Sequence, residues 1–260
     1  APIFAQYDVT PPAQLKCIYP SFKDHDDYLN LVLETQPQAV SFHFGIPHEH
    51  QIQALKDAGI ITMVSATNLA EAQAIEAAGI DIIIAQGIEA GGKRGVFNQA
   101  FDSAIKTSDL VQLIREHCTL PVVAAGGIMN GQQAQLMLKL GASAVQLGTA
   151  FVQCKSSNAN PAYRQALFQQ NITQITDSIS GRSARGLINH WHTQVDTPNR
   201  LTVPTYPYTY DLAKQLHSAA VTQGEQGYAP FWAGSNVSQI RELEAADLIN
   251  QLVLEMIHAR

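Results

Sequence analysis

Apolar residues fall into two alternating rhythms between about residue 26 and residue 151. Three stretches repeat one grammar: IQALKDAGIITMVSAT (52–67), AQAIEAAGIDIIIAQG (72–87) and QLMLKLGASAVQLGTAF (135–151). Each opens with an Ala- and Leu-rich segment of helical period. Each then reaches a glycine (Gly59, Gly79, Gly141) and passes into a short, mostly apolar run. Glycine at that point suits the positive φ of a helix C-terminal cap. A run that is apolar at nearly every position reads as a strand buried on both faces, as in a parallel sheet covered by helices. PVVAAGG (121–127) after SDLVQLIREHC, and QAVSFHFG (38–45) after DDYLNLVLETQ, follow the same order, with Ser108 and Gln112 marking a helix start. The pattern predicts strands at 39–43, 61–65, 81–85, 121–125 and 144–148 with helices between them, hence an α/β protein.

From about 152 to 200 the rhythm breaks. NITQITDSISGRSARGLINHW reads as a strand and a turn followed by a basic helix or loop. Helical periods return in DLAKQLHSAAVTQ and SQIRELEAADLINQLVLEMIHA, with the aromatic stretches VPTYPYTY and GYAPFWAG around the first of them. These read as helices and loops added to the sheet rather than as a repeat domain.

Glycines gather at the predicted C-terminal strand ends: Gly45, Gly87, Gly91–Gly92, Gly126–Gly127 and Gly148. In parallel α/β folds that edge binds ligands, and a glycine there lets backbone N–H groups approach an anion closely. Any one of these glycines reads equally as a tight turn. Four clusters on one edge favour a ligand site. AAGGIMNG (124–131) and LGTAF (147–151) have the placement that holds phosphate near the last strands of a (β/α)8 barrel. Neither GxGxxG nor GxxxxGK[ST] occurs, so no dinucleotide fingerprint or P-loop is expected.

Composition narrows the class. Of the 260 residues 46% are hydrophobic and 15% charged, which suits a folded globular chain. The formal net charge of −6 argues against nucleic acid or an anionic membrane as partner. No run approaches a membrane span, no leader is visible, and the cytoplasm is the expected compartment. Cys17, Cys118 and Cys154 lie far apart, match no metal pattern and read as reduced thiols; no metal is expected.

Five segments together, SFHFGIP (41–47), IIIAQGIEAGGKRGVF (82–97), LPVVAAGGIMNGQQ (120–133), AVQLGTAF (144–151) and SGRSARGL (180–187), resemble the motif series of the nitronate monooxygenases, formerly 2-nitropropane dioxygenases. YP (206–207) and WAG (232–234) resemble the class I branch. The likeness runs in order along nearly the whole chain. It implies an FMN-dependent (β/α)8 TIM barrel that oxidises alkyl nitronates, such as propionate 3-nitronate, with O2 to a carbonyl product and nitrite. It is compatible with a homodimer. The five predicted strands would then be part of eight, since a parallel barrel closes with eight. Either an N-terminal portion lies outside this chain, which begins at Ala1 without Met, or a degenerate half needs a partner; the first is favoured. The expected organisation is a partial FMN-binding barrel over 1–151 and a helical and loop segment over 152–260 that covers the site.

The family motif reads EAGGHRG, its histidine beside the flavin assigned as catalytic, and here Lys93 holds that place. A lysine is a fixed cation unless burial or a neighbouring charge depresses its pKa, so it is a poorer base than histidine for a neutral nitroalkane. A nitronate is already an anion, and a cation would bind it and stabilise reduced flavin. Lys93 is therefore expected to keep nitronate oxidation and lose neutral nitroalkanes, the bland alternative being a solvated loop cation. His43 matches FHFG of the family and becomes the acid/base candidate, with Phe42 and Phe44 on the opposite side of the strand; a lone histidine is otherwise a core residue. For the flavin the resemblance implies Gln86, Gly91, Gly92, Ala125, Gly126, Gly127, Gln146, Gly148 and Thr149, although Gln146 equally suits satisfying buried backbone. For the substrate it suggests Tyr206 and Tyr208, with Tyr210 beside them, although aromatic loop residues equally just pack; Lys214 nearby is placed to meet a substrate carboxylate, the bland reading being a solvated lysine on an amphipathic helix. Glu89 reads as a partner of Arg94 or of a helix N-terminus. Ser180, Arg182 and Arg185 read as structural. Three rivals remain. One is a FabK-type enoyl-acyl-carrier-protein reductase, which would use NAD(P)H. Another is a catalytically inactive flavin-binding homologue. A nucleotide dehydrogenase is disfavoured for lack of a cysteine loop.

Overall fold

The computed structural model describes residues 2–259. Their strands are β1 (Ala39–Phe42), β2 (Ile61–Ala66), β3 (Ile82–Gln86), β4 (Gly92–Lys93), β5 (Val122–Ala125), β6 (Ala144–Gln146), β7 (Thr173–Thr176) and β8 (Ala184–Leu187). Their α-helices are α1 (Pro2–Ala5), α2 (Asp26–Thr35), α3 (Glu49–Asp57), α4 (Leu69–Ala77), α5 (Thr107–His117), α6 (Gly131–Lys139), α7 (Pro161–Gln169), α8 (Tyr208–Thr222) and α9 (Ala245–His258). The five strands read from the sequence form one parallel sheet in the order β1-β2-β3-β5-β6. Parallel neighbours need a crossover, and α3, α4, α5 and α6 supply it. The sheet is part of a (β/α)8 barrel, with β1 and β6 at its edges.

The three glycines end their helices as the pattern requires. Gly59, Gly79 and Gly141 have φ of 70°, 75° and 103°. After each, the next N–H reaches back to the helix: Ile60 to the Leu55 carbonyl at 2.9 Å, Ile80 to Ile75 at 3.4 Å, Ala142 to Met137 at 3.0 Å. This pairing satisfies the orphan carbonyls of a helix end and aims the chain into the following strand. Along β3 the side chains then divide by parity. Ile83 and Ala85 join the core under the helices, with Leu55, Ile75, Leu110 and Ile114. Ile82 and Ile84 face the inner side with Val123, Ala125 and Met63.

A second sheet crosses the C-terminal edge of the first. It is antiparallel, in the order β4-β8-β7, and pairs Lys93 with Ala184 and Gly92 with Arg185. The segment expected to turn into a basic helix or loop is thus a strand. Its arginines spend their charge on backbone carbonyls rather than on solvent, a fate that local pattern does not show. The first helix of the C-terminal third starts at Tyr208, earlier than its apolar period suggests, and the last starts only at Ala245. Ser108 lies inside the first turn of α5, with Lys106 at the cap. Residues near the N-terminus, including Phe4, Tyr7 and Ile18, pack on Trp191, Leu216 and Tyr228 of the C-terminal third. No helix among the described residues is long and apolar enough to cross a membrane.

Candidate active site

Two strand ends bring polar side chains to one carbonyl. His43 follows β1, and Gln86 closes β3. The Lys93 carbonyl receives the Gln86 Nε2 at 3.0 Å and faces the His43 Nε2 at 3.0 Å. A carbonyl only accepts, so the proton sits on Nε2. The His43 Nδ1 meets the Ser65 hydroxyl at 2.9 Å. Burial lowers the His43 pKa, opposed by the bond to Lys93; the charges of Arg182, Arg94 and Lys93 push it down further. A neutral ring with its tautomer fixed is the result. Phe44 does not lie opposite His43 as strand alternation predicts. Its φ is 73°, and its ring centroid is 4.5 Å from that of His43. Strand geometry ends at Phe42, so the alternation cannot extend to Phe44.

Gln86 also receives the Gly95 N–H at 2.7 Å and the Arg94 Nη1 at 3.1 Å on its Oε1. Its amide braces the 91–95 loop, with one N–H left for a ligand. Arg94, fully buried, pairs with Asp102 at 2.7 Å and donates to the Gly87 carbonyl at 2.7 Å. Glu89 takes the second of its two readings and receives the N–H and hydroxyl of Thr107 at the start of α5, both at 2.9 Å. The glycines make room chiefly for protein. A Cβ on Gly91 would stand 2.6 Å from the Ala233–Gly234 backbone, and one on Gly95 2.8 Å from His43. On Gly148 a Cβ would meet nothing within 4 Å.

Lys93 turns its ammonium into an aromatic cage, 4.4 Å from the Tyr210 ring centroid and 5.4 Å from those of Tyr206 and Trp232. Ring faces attract cations there. Burial first, then the charges of Lys214 and Arg182, lower its pKa to about 8. Lys214 lies 4.6 Å over Tyr19 and 5.2 Å over Tyr210. Tyr206, pushed up to about 12 by burial, keeps its phenol proton.

Two cavities open at the strand ends and meet at Phe42 and His43. The first, about 280 Å³, is walled by Gln86, Gly91, Ala125, Gly126, Gly127, Gln146, Gly148 and Thr149, which are all the expected cofactor residues except Gly92. Gly92 instead pairs in β4, and Lys93 and Lys214 line neither cavity. The second, about 480 Å³, has Tyr206 and Tyr208 on its wall, with Phe44 and Arg182. Sequence reading missed Ser65 and Ser41, whose position at inward-facing strand ends was the available signal; Trp232 was visible only within WAG, and its place in the cage rests on long-range packing. Arg182 was visible only as part of a motif. No cluster of metal-ligating side chains occurs among the described residues.

This edge can hold an anionic group in the first cavity, beside a second cavity walled by aromatic rings and Arg182. The profile of the family described as nitronate monooxygenase matches residues 11–255. The chain is 48% identical to the nitronate monooxygenase of Pseudomonas aeruginosa, over 98% of this chain and 74% of that one. A nitroalkane oxidase from Streptomyces ansochromogenes is similar over 100% of this chain and 75% of that one, at 36% identity and a TM-score of 0.90. FabK from Thermotoga maritima is more distant, at 26% identity and a TM-score of 0.71 over 90% of this chain and 72% of that one. The chain belongs to the nitronate monooxygenase family, oxidoreductases that oxidise nitronates.

Proposed function

We propose that the chain oxidises alkyl nitronates with FMN in the first cavity and O2 as terminal acceptor, giving a carbonyl product and nitrite. The observation that carries this reading is the meeting of the two cavities at His43, with the expected cofactor residues on one wall and the substrate tyrosines on the other. The donor set fits the cofactor. The backbone N–H groups of Gly126, Gly127 and Gly148 have no acceptor among the described residues, and unpaired N–H groups at strand ends suit a phosphate. Gln146 and Thr149 stand beside them, and Gln86 offers its remaining N–H. FMN, when bound, supplies the electron acceptor for the nitronate and the path of electrons to O2.

The chain's own residues position and attract. Lys93 and Lys214 give the chamber a positive field that favours an anion. Tyr206 and Tyr208 bound the substrate, Tyr206 as a hydroxyl donor. His43 is held neutral, its Nε2 proton on the Lys93 carbonyl. With both ring nitrogens of His43 engaged, removal of a proton from a neutral nitroalkane is disfavoured, whereas a nitronate needs no base. We read 1–151 as the barrel part and 152–260 as the covering segment.

An absorbance spectrum of the purified protein, mass analysis of the released cofactor and oxygen uptake test the reading. Bound FMN, uptake with propionate 3-nitronate and at least tenfold lower turnover of neutral nitroalkane are expected. Bleaching by NADH without oxygen would favour the reductase instead, and bound flavin without uptake an inactive homologue.

A further inference from the structure

Arg182 is a buried cation without an ion-pair partner, and the charge of Glu71 acts on it from farther off. It is only 6% exposed, and no carboxylate lies within ion-pair distance of it among the described residues. Its Nη1 donates to the Val96 carbonyl at 2.6 Å and to that of Arg94 at 3.4 Å. Its Nε is buried with no partner, and its Nη2 has none either. Phe44 covers one face of the guanidinium at 4.1 Å. Burying a charge with unmet donors is costly, and such a group is retained where something else supplies the acceptor. Arg182 lines the second cavity, which also holds His43 and Tyr206. The half-buried Tyr206 stands on the same wall. Lys93 and Lys214 hold their ammonium groups on aromatic rings, and Lys23 stands on the exposed rim.

Resting on the proposed nitronate chemistry, we propose that Arg182 is a specificity-determining residue: it binds the carboxylate of a substrate whose nitronate end reaches past His43 toward the first cavity. A guanidinium held by backbone carbonyls and a ring is pre-positioned, so little entropy is lost when a carboxylate binds. Arg182, rather than a lysine, is thus the group that tells a nitronate with a second anionic end from one without it.

The test compares propionate 3-nitronate with propyl 1-nitronate, of similar length and without the carboxylate, on the flavin-loaded protein. Arg182→Gln is expected to lower the ratio of their kcat/KM values about 30-fold, mostly through KM, in the range of a lost charge-assisted hydrogen bond. Arg182→Lys should restore part of that ratio. Equal losses on both substrates would reduce Arg182 to a prop of the loop, and an unchanged ratio would remove it from recognition. Wild-type protein gives an answer even where the variant does not fold. Propionate should bind at least tenfold more tightly than propionamide, and equal binding overturns the proposal. Binding is also read without turnover, from the thermal shift each compound produces. A protein that turns over neither nitronate but binds propionate selectively would fail the oxidation reading and keep the anion site.

Discussion

Between β1 and α6 the largest fully buried side chains in the sheet and its helices are hydrocarbons, among them Leu55, Ile75, Ile83, Leu110 and Ile114. In the layer that crosses the C-terminal edge, the largest is Arg94. The sheet satisfies its backbone through its own ladders and helix caps, so apolar packing suffices between them. The crossing layer has two-residue β4, loops and a short hairpin, and its carbonyls need outside donors. Arginines supply them: Arg94 to Gly87, Arg182 to Val96, Arg185 to Ile88 at 3.0 Å. One region is fixed by hydrocarbon contact, the other by guanidinium groups reaching main chain. The second method leaves room for cavities, because a fork spans a gap that close packing would fill.

The strongest test of this contrast is Arg94→Met. The change strands Asp102 and removes donors from Gln86 and Gly87, at a cost of about 4 kcal/mol. Chemical denaturation of the variant checks it. Leu55→Ala, in the middle of the apolar core, should cost about 3 kcal/mol. Were Arg94→Met the milder of the two, the crossing layer would owe its order to something other than its arginines.

Much of the first region was legible because its signals are local. Gly59, Gly79 and Gly141 each announce a helix end within six residues of the strand that follows, and the Ile and Val runs need no partner to be recognised. The crossing layer is specified by pairs far apart in sequence. Gly92 finds Arg185, Arg182 finds Val96, and Lys93 finds Trp232. No period encodes such pairs. Arg182 and Arg185 read as structural, and their bonds to the Val96 and Ile88 carbonyls agree with that; a motif shows which residues recur together but not which donors remain unmet. The wall of the first cavity was readable for the opposite reason: Ala125, Gly126, Gly127 and Gly148 lie at strand ends, where topology alone puts them on the C-terminal edge.

One glycine substitution made in both regions sharpens the difference. Gly91→Ala has an ordinary φ but drives a Cβ to within 2.6 Å of the Ala233–Gly234 backbone, so the crossing layer must shift, at about 2 kcal/mol. Gly59→Ala meets no atom within 4 Å and bears only the strain of φ 70°, about 1 kcal/mol. Thermal midpoints of the two variants measure this. Gly91→Ala should also lower turnover and Gly59→Ala should not, since only the first moves the wall of the cavity. Equal loss of turnover would mean that the sheet transmits strain to the site as freely as the loop does.

Lys93 gives the smallest effect and the most discriminating one, because its charge acts on stability and on substrate in opposite directions. Its pKa is about 8 in the folded protein against an ordinary 10.5, with burial the leading cause. Below pH 8 folded and unfolded chains both carry the proton, and the folded chain bears the full cost of the buried ammonium. Between pH 8 and 10.5 the folded chain has shed a proton that the unfolded chain still binds, so this group's contribution to stability rises with pH. Over the same interval the chamber loses a positive charge, and an anionic nitronate is held less well. The KM for propyl 1-nitronate should rise about threefold between roughly pH 7 and 9, under about 1 kcal/mol for a charge outside the cavity wall. The stability gap between wild type and Lys93→Met should narrow meanwhile. Lys93→Arg, charged throughout, should show a flat KM. A general alkaline loosening would instead weaken binding and stability together in all three proteins. A KM profile as steep in Lys93→Arg as in wild type would remove this lysine from the field that the substrate feels.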